Sequence, residues 1–352
     1  MSEYRIEPNA LAEGSLPTEI YWGVQTERAI EQALITGQKP SPAWVWGVAL
    51  VKRAAAEVNA DLGLFKDKSV GEQIISGEAI AQAIIVAADE VLEGRWHTQF
   101  VVDPFQTEAG ANHDTNLNEV LANLANERLG YRLADSRKPI SPHNHVNLSQ
   151  TTADTLTTAA RLGCLWRLDE MLAELAQLAA VLRQKQQLEI FALSLERSMD
   201  KIRHSADDLR RLGIGATALD GDPEYHSRMV AVLGRLAALT LYESDNPLEA
   251  MNGIGDFVHF SGALRTLAHE LIGIAQAVPS VTYSTSAVPH AQMLHMAMLQ
   301  LLGNDLTILL ASQIGATIPH PALPLIAHNL FQSMAILINS TRAFGQWRVS
   351  TG

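Results

Sequence analysis

The residues whose types could do chemistry gather in three polar segments. The first, Phe105 to Asn118, carries Glu108, Asn112, His113, Asp114 and Asn116. Amides, imidazole and carboxylates this close together either line a pocket for a polar ligand or close a hydrogen-bonded turn. The second, Ser141 to Asp154, holds His143, His145, Thr151 and Thr152. Thr151 and Asp154 stand at capping-box spacing, so a helix is expected to open there. A helix N-terminus beside hydroxyls is also a ready anion site. The third segment, Tyr283 to Pro289, supplies Thr285 and Ser286 but has no neighbouring glycine for a nucleophile elbow. Glu108, His113, Asp114, His143, His145 and Thr285 are the groups that could exchange protons in a shared pocket.

Metal chemistry is not expected. His143 and His145 lie two apart and His290 and His295 five apart, and neither spacing sets two imidazoles on one helix face. The single cysteine, Cys164, leaves neither a disulfide framework nor a Cys-x-x-Cys site. The sequence points to no cofactor.

The elements that must position these segments are helices. Apolar residues recur at helical spacing over 43–62, with Lys52, Arg53 and Glu57 expected on the other side, and 118–129 reads the same way before Gly130. The stretch 152–205 is rich in Ala and Leu and nearly free of breakers, which predicts long rods with one break. Further helices are expected over 224–241, 255–277, 291–313 and 322–344, and the best strand candidate is 99–103. The polar connections between rods are where an all-α protein places its chemistry.

Composition narrows the classes. The chain has 352 residues, 47% of them hydrophobic and 18% charged, enough for a sizeable core. With 26 Lys and Arg against 38 Asp and Glu, the net charge of -12 argues against nucleic acid or an anionic membrane surface as partner. From Leu306 to Thr341 no charged residue occurs, but prolines, histidines and amides interrupt the run. A spanning helix needs about 20 consecutive, mostly apolar residues. The expectation is two helices buried in a bundle or at a subunit interface, with no membrane span. Met1 to Arg5 carries no apolar stretch, so a cytoplasmic location is expected.

Ordered blocks along the chain resemble one family. Arg5 to Glu7, Pro17, Tyr21 to Gly23, Gln25, Thr26, Arg28 and Ala29 are similar to the N-terminal signature of the aspartase/class II fumarase superfamily, and to aspartase more than fumarase. So are Val51 to Asn59, Phe100 to Asp103 with Gln106 and Thr107, Asn116, and Asn118 to Asn123. His145 to Asp154 resembles the family's HVN-x-SQ run, and Gly215 to Ala218, Pro223 to Tyr225, Ser261 to Leu264 and Gly303 to Asp305 resemble later blocks. The resemblance implies an all-α fumarase/aspartase-like fold with a long central helical bundle and without the family's small C-terminal domain. It divides the chain into an N-terminal helical domain (1–140), the long-helix domain (141–346) and a tail (347–352). It also implies a homotetramer whose sites draw loops from three subunits, and cleavage of a C–N or C–O bond in a succinyl-type substrate.

The same alignment shows altered substrate segments. Where the family has GxGTSxNMN, this chain has Glu108 to Asn116, with Ala111 in place of a carboxylate-binding threonine. Asn112, Asn116, Thr151 and Thr152 fall at substrate-holding positions, but Ala153 replaces a binding asparagine, and the family's HPND becomes Ser141 to Asn144. The loop expected after Gln187 is missing, and a second stretch near 219–222 is shortened. Aligned with the family's GSSxMPxKxNP, Thr285 takes the base position beside Ser286, and the Lys and Asn that follow have no counterpart; no lysine occurs after Lys201. His113 and His145 are the remaining catalytic candidates. The sequence therefore implies a member without ordinary aspartase or fumarase turnover, serving as a binding or assembly partner, as a homotetramer or mixed with an active relative, and able to take a small carboxylate ligand. The alternative is a repurposed lyase, or an addition catalyst, on a succinyl- or fumarate-type substrate.

Overall fold

In the computed structural model the described residues are 4–9, 12–106, 108–184, 186–215, 224–282, 287–314 and 320–350. They fold into two compact units. The first comprises Met1–Arg161, Arg211–Asn252 and Ala316–Pro324; the second comprises Leu162–Arg210, Gly253–Gly315 and Leu325–Gly352.

The first unit opens with an antiparallel hairpin, β1 (Tyr4–Asn9) and β2 (Ala12–Pro17), with Arg5 paired to Leu16. Arg5 is buried, and its guanidinium donates to the carbonyls of Pro17 (3.1 Å), Ile20 and Trp22 (2.8 Å). Every cationic hydrogen of that fork that meets a carbonyl fixes the chain entering α1 (Val24–Gln32). The central rod is α2 (Pro42–Asp61), started by the Ser41 hydroxyl on the Ala43 amide and by Pro42 in its first turn. It is buried nearly all round, packing on α3 (Gly77–Leu92) and on α7 (Tyr225–Ala237). The short hairpin β3 (Lys68–Val70) and β4 (Gln73–Ile75) joins α2 to α3, and α4 (Ala111–Arg128) packs on both α3 and α1.

Gly47 lets α2 come close to the start of α5 (Thr152–Arg183). A β-carbon there would lie 3.0 Å from the Ala159 carbonyl carbon and nearer still to its oxygen. The expected rod over 152–205 is thus α5 followed, after one break, by α6 (Glu189–Asp207). Two-residue strands β5 (Arg211–Leu212) and β6 (Tyr242–Glu243) pair in parallel, and α8 (Pro247–Asn252) follows.

The second unit is built on α9 (Ile254–Thr282), which packs on α6 and on α10 (Ala287–Ala311); α11 (Leu323–Ser350) closes the chain. Polar pins join its rods: the Ser261 hydroxyl donates to Asp305 (2.6 Å), Arg265 pairs with Asp305 (2.8 Å), and Asn304 donates to Ser333 (3.1 Å). Arg342 reaches Glu170 and Glu174, each at 2.8 Å. By length and composition one described helix, Val288–Ala311, is apolar enough to cross a membrane. Met296, Leu299, Leu306 and Leu310 are each more than half exposed on it in the single chain.

Two readings of the sequence are corrected here. The segment 99–103 is no strand, because Asn116 takes the place of a pairing chain: its oxygen accepts from the Val101 amide (3.1 Å) and its amide donates to the Gln99 carbonyl (3.1 Å). Lys52, placed by pattern on the polar side of α2, is wholly buried. It shares the stripe of Val45, Val48, Ala55 and Asn59, so its burial was written in the helical spacing.

Candidate functional site

The first two polar segments meet within the first unit, at the N-termini of α4 and α5. Each helix is preceded by a left-handed residue. Before α4 stand Ala109 (φ 53°) and Gly110 (φ 88°); before α5 stands Ser149 (φ 61°). A β-carbon on Gly110 would meet the Pro324 ring at 2.6 Å and Leu156 at 3.2 Å, so only glycine fits this turn. Thr151 caps α5: its hydroxyl accepts from the Asp154 amide (3.3 Å) and donates to the Asp154 carboxylate (3.0 Å).

Lys52 ties the two helix starts together. Its ammonium lies 2.7 Å from the Asp114 carboxylate in the first turn of α4 and 2.7 Å from the side-chain oxygen of Asn147. The Thr152 hydroxyl, on the first residue of α5, donates to the other Asp114 oxygen at 3.4 Å. From the same rod, Asn59 donates to the Leu148 carbonyl (2.9 Å). Burial pushes the Lys52 ammonium below its ordinary range, while the charge and hydrogen bond of Asp114 pull it back.

The remaining candidates have local partners. The Asn112 amide donates to Gln106 (2.8 Å), which in turn donates to the Ala33 carbonyl (3.0 Å). His113 is buried with its ring edge-on to Trp44, centroids 5.6 Å apart. Asn116 is engaged with the backbone at 99–101, as above. The Nδ1 of His145 accepts from the Ser141 amide (2.9 Å), and burial together with the Lys68 charge holds its imidazole below the usual value. Thr285, Ser286 and the Glu108 side chain lie outside the described residues. Among the described residues no group of three or more His, Cys, Asp or Glu could hold a metal.

A separate cleft of about 390 Å³ lies between the start of α1, the second half of α4 and the loop that follows α4. Its lining includes Gly23, Glu119, Lys138, Ser141, His143 and Asn144. Glu119 does structural work at its floor: the carboxylate accepts from the amides of Gly23 (2.8 Å), Gln25 (3.2 Å) and Thr26 (3.2 Å) and from the Thr26 hydroxyl (2.6 Å). Burial raises its pKa against the pull of those donors. Lys52, Asn147 and Glu119 were not singled out as site residues from sequence. The signal for the first was the apolar stripe of α2; for the other two no spacing rule applies.

Long buried rods that hold polar loops at their N-termini define an all-α protein. A sequence model of the family described as lyase matches residues 13–190. The aspartate ammonia-lyase of Bacillus subtilis is 32% identical, over 97% of this chain and 80% of that protein. The class II fumarate hydratase of Nitrosomonas europaea is 30% identical, over 98% and 83%. Among solved structures, the fumarate lyase:delta crystallin of Brucella melitensis in native form superposes with a TM-score of 0.86 at 27% identity, covering 98% of this chain and 87% of that one. The chain belongs to this lyase family, the superfamily of aspartases and class II fumarases.

Proposed function

We propose that this protein is a family member without ordinary aspartase or fumarase turnover, acting as a binding or assembly partner, as a homotetramer or in mixed assemblies with an active relative. The observation that carries this reading is the Lys52–Asp114–Thr152 cluster. At a position where the family pattern has asparagine, this chain places a carboxylate, and a hydroxyl of the second substrate segment is turned onto it (3.4 Å) rather than left for a ligand. The Asp114 carboxylate also neutralises the Lys52 ammonium (2.7 Å), so this cluster offers a dicarboxylate no free positive charge.

Three further points support it. Asn116 spends both ends of its amide on backbone. The alignment with the Bacillus subtilis relative runs over 392 residues against a chain of 352, so at least 40 aligned positions of that relative have no counterpart here. The uncharged outer face of α10 supports assembly, since exposed apolar surface of that extent marks an interaction face.

The second reading, a repurposed C–N or C–O lyase, draws on the titratable groups Glu108, His113, Asp114, His143 and His145, with Thr285 as its base. In that reading Asn112, Thr151 and Thr152 hold a less anionic substrate.

One assay separates the two. The ultraviolet absorbance of the fumarate double bond is followed with aspartate, malate and N-substituted succinates, and in reverse with fumarate and amines. The first reading expects no change from protein shown by light scattering to be an oligomer. Steady turnover of any pair, abolished in His113→Ala, establishes the second.

A further inference from the structure

The loop between α4 and α5 closes on one residue. Ser141 caps a π-helical turn, Pro142–Val146, and its carbonyl accepts from the amides of His145 (3.1 Å) and Val146 (3.4 Å). Its hydroxyl accepts from the Asn144 amide (3.3 Å), and its own N–H donates to the Nδ1 of His145 (2.9 Å). An imidazole nitrogen accepts a hydrogen bond only while it carries no proton. The closed turn therefore fixes the ring as the tautomer with its hydrogen on Nε2.

We propose that His145 is a proton-operated latch: protonation of Nδ1 sets its N–H against the Ser141 N–H, and the turn that walls the cleft opens. The turn contributes Ser141 to Asn144 to the cleft, so opening it changes the shape and the hydrogen-bonding groups of that wall. It also leads directly into Asn147 and Leu148, which are held by Lys52 and Asn59.

The charged surroundings set the direction. Lys68, on β3, disfavours a second cation on the ring. On α4, Glu119 is committed to the amides at 23–26 and to Thr26. Lys138, in the preceding loop, donates to Asn123 and to the Leu133 carbonyl; Asp135 and His143 also line the cleft. With burial and Lys68 acting together, the latch is closed at neutral pH. Its contribution is present above the usual imidazole value near 6.5 and is lost as pH falls through the lower folded-state value.

The test is amide hydrogen exchange of Ser141 in the full chain, normalised to the intrinsic rate at each pH, together with imidazole nitrogen shifts of His145. The expected result is an Nε2–H tautomer at neutral pH and at least a tenfold loss of Ser141 protection as the ring titrates. His145→Asn, whose oxygen can accept in place of Nδ1 without titrating, keeps the protection flat with pH. His145→Phe lacks it at every pH. An Nδ1–H tautomer in the wild-type protein, or Ser141 protection that survives titration of the ring, overturns the proposal. So does an equal acid-induced loss in His145→Asn.

Discussion

The ammonium of Lys52 and the carboxylate of Asp114 stand 2.7 Å apart with side-chain exposures of 0% and 4%. Such a pair is costly to bury and costlier to break, because removing one partner strands the other charge. Lys52→Met is therefore expected to lower the stability of the chain by about 3–5 kcal/mol. Asp114→Asn removes the same attraction but leaves an ammonium that can shed its proton, so its cost should be smaller. The double variant Lys52→Met/Asp114→Asn should recover part of the loss. Denaturant unfolding of the four proteins closes the cycle, and strictly additive losses would show that the pair does not act as a unit.

Gly47 offers a contrast in backbone crowding. A methyl at this position meets the Ala159 backbone of α5, which cannot swing aside as a side chain can. Gly47→Ala should cost about 1–3 kcal/mol, toward the upper end. Gly255, in the first turn of α9, has no atom within 4 Å of the same construction. Gly255→Ala should be neutral or stabilising by up to about 1 kcal/mol. Equal melting temperatures for the two variants would contradict the close approach of α2 and α5.

Glu119→Gln tests the anchoring of α1. The native carboxylate accepts from three amides and one hydroxyl, whereas a glutamine brings an NH₂ donor toward the same N–H groups. One or more donors must then go unpaired, at about 1–3 kcal/mol for a buried group. Exchange of the Gly23 and Thr26 amides reads this directly, and unchanged protection in the variant would count against the assignment.

Asp103 gives a pH dependence with a definite sign. Burial alone would raise its pKa, but the amides of Phe105, Thr36 and Gly37 and the Thr36 hydroxyl together hold it below its usual value near 3.8. A depressed carboxylate contributes stability that is present above that value and lost as pH falls through the folded-state one. Asp103→Asn should therefore be less stable than the wild type at neutral pH, and the gap should shrink toward about pH 3. A gap that stays constant across that range would sink this assignment.

The helices were legible because their spacing is a property of each segment alone. The rods α2, α5, α6, α9, α10 and α11 all fall where apolar periodicity places them. The family blocks were legible as well, and the fold gives their physical reason. Ser261 and Asp305 come from separate blocks and meet at 2.6 Å; Asn123 donates to the Tyr21 carbonyl at 2.8 Å across 102 positions. Many of those residues hold rods together. The false strand at 99–103 and the exposed reading of Lys52 share one cause. Each involves a distant side chain, Asn116 in one case and Asp114 in the other; the stripe of α2 announces the burial of Lys52, but no local pattern announces either partner. For the candidate site, the segments were legible but not the partners that occupy them.

The first compact unit is assembled from three separate stretches of chain, the last of which ends at Pro324. A ribosome must therefore synthesise more than nine-tenths of the 352 residues before that unit can be completed. The face of α2 that packs on α7 likewise waits for a partner encoded far downstream. Contacts of such long sequence separation slow folding and lengthen exposure to aggregation. The unit's boundaries also mean that no single cut of the chain releases it whole.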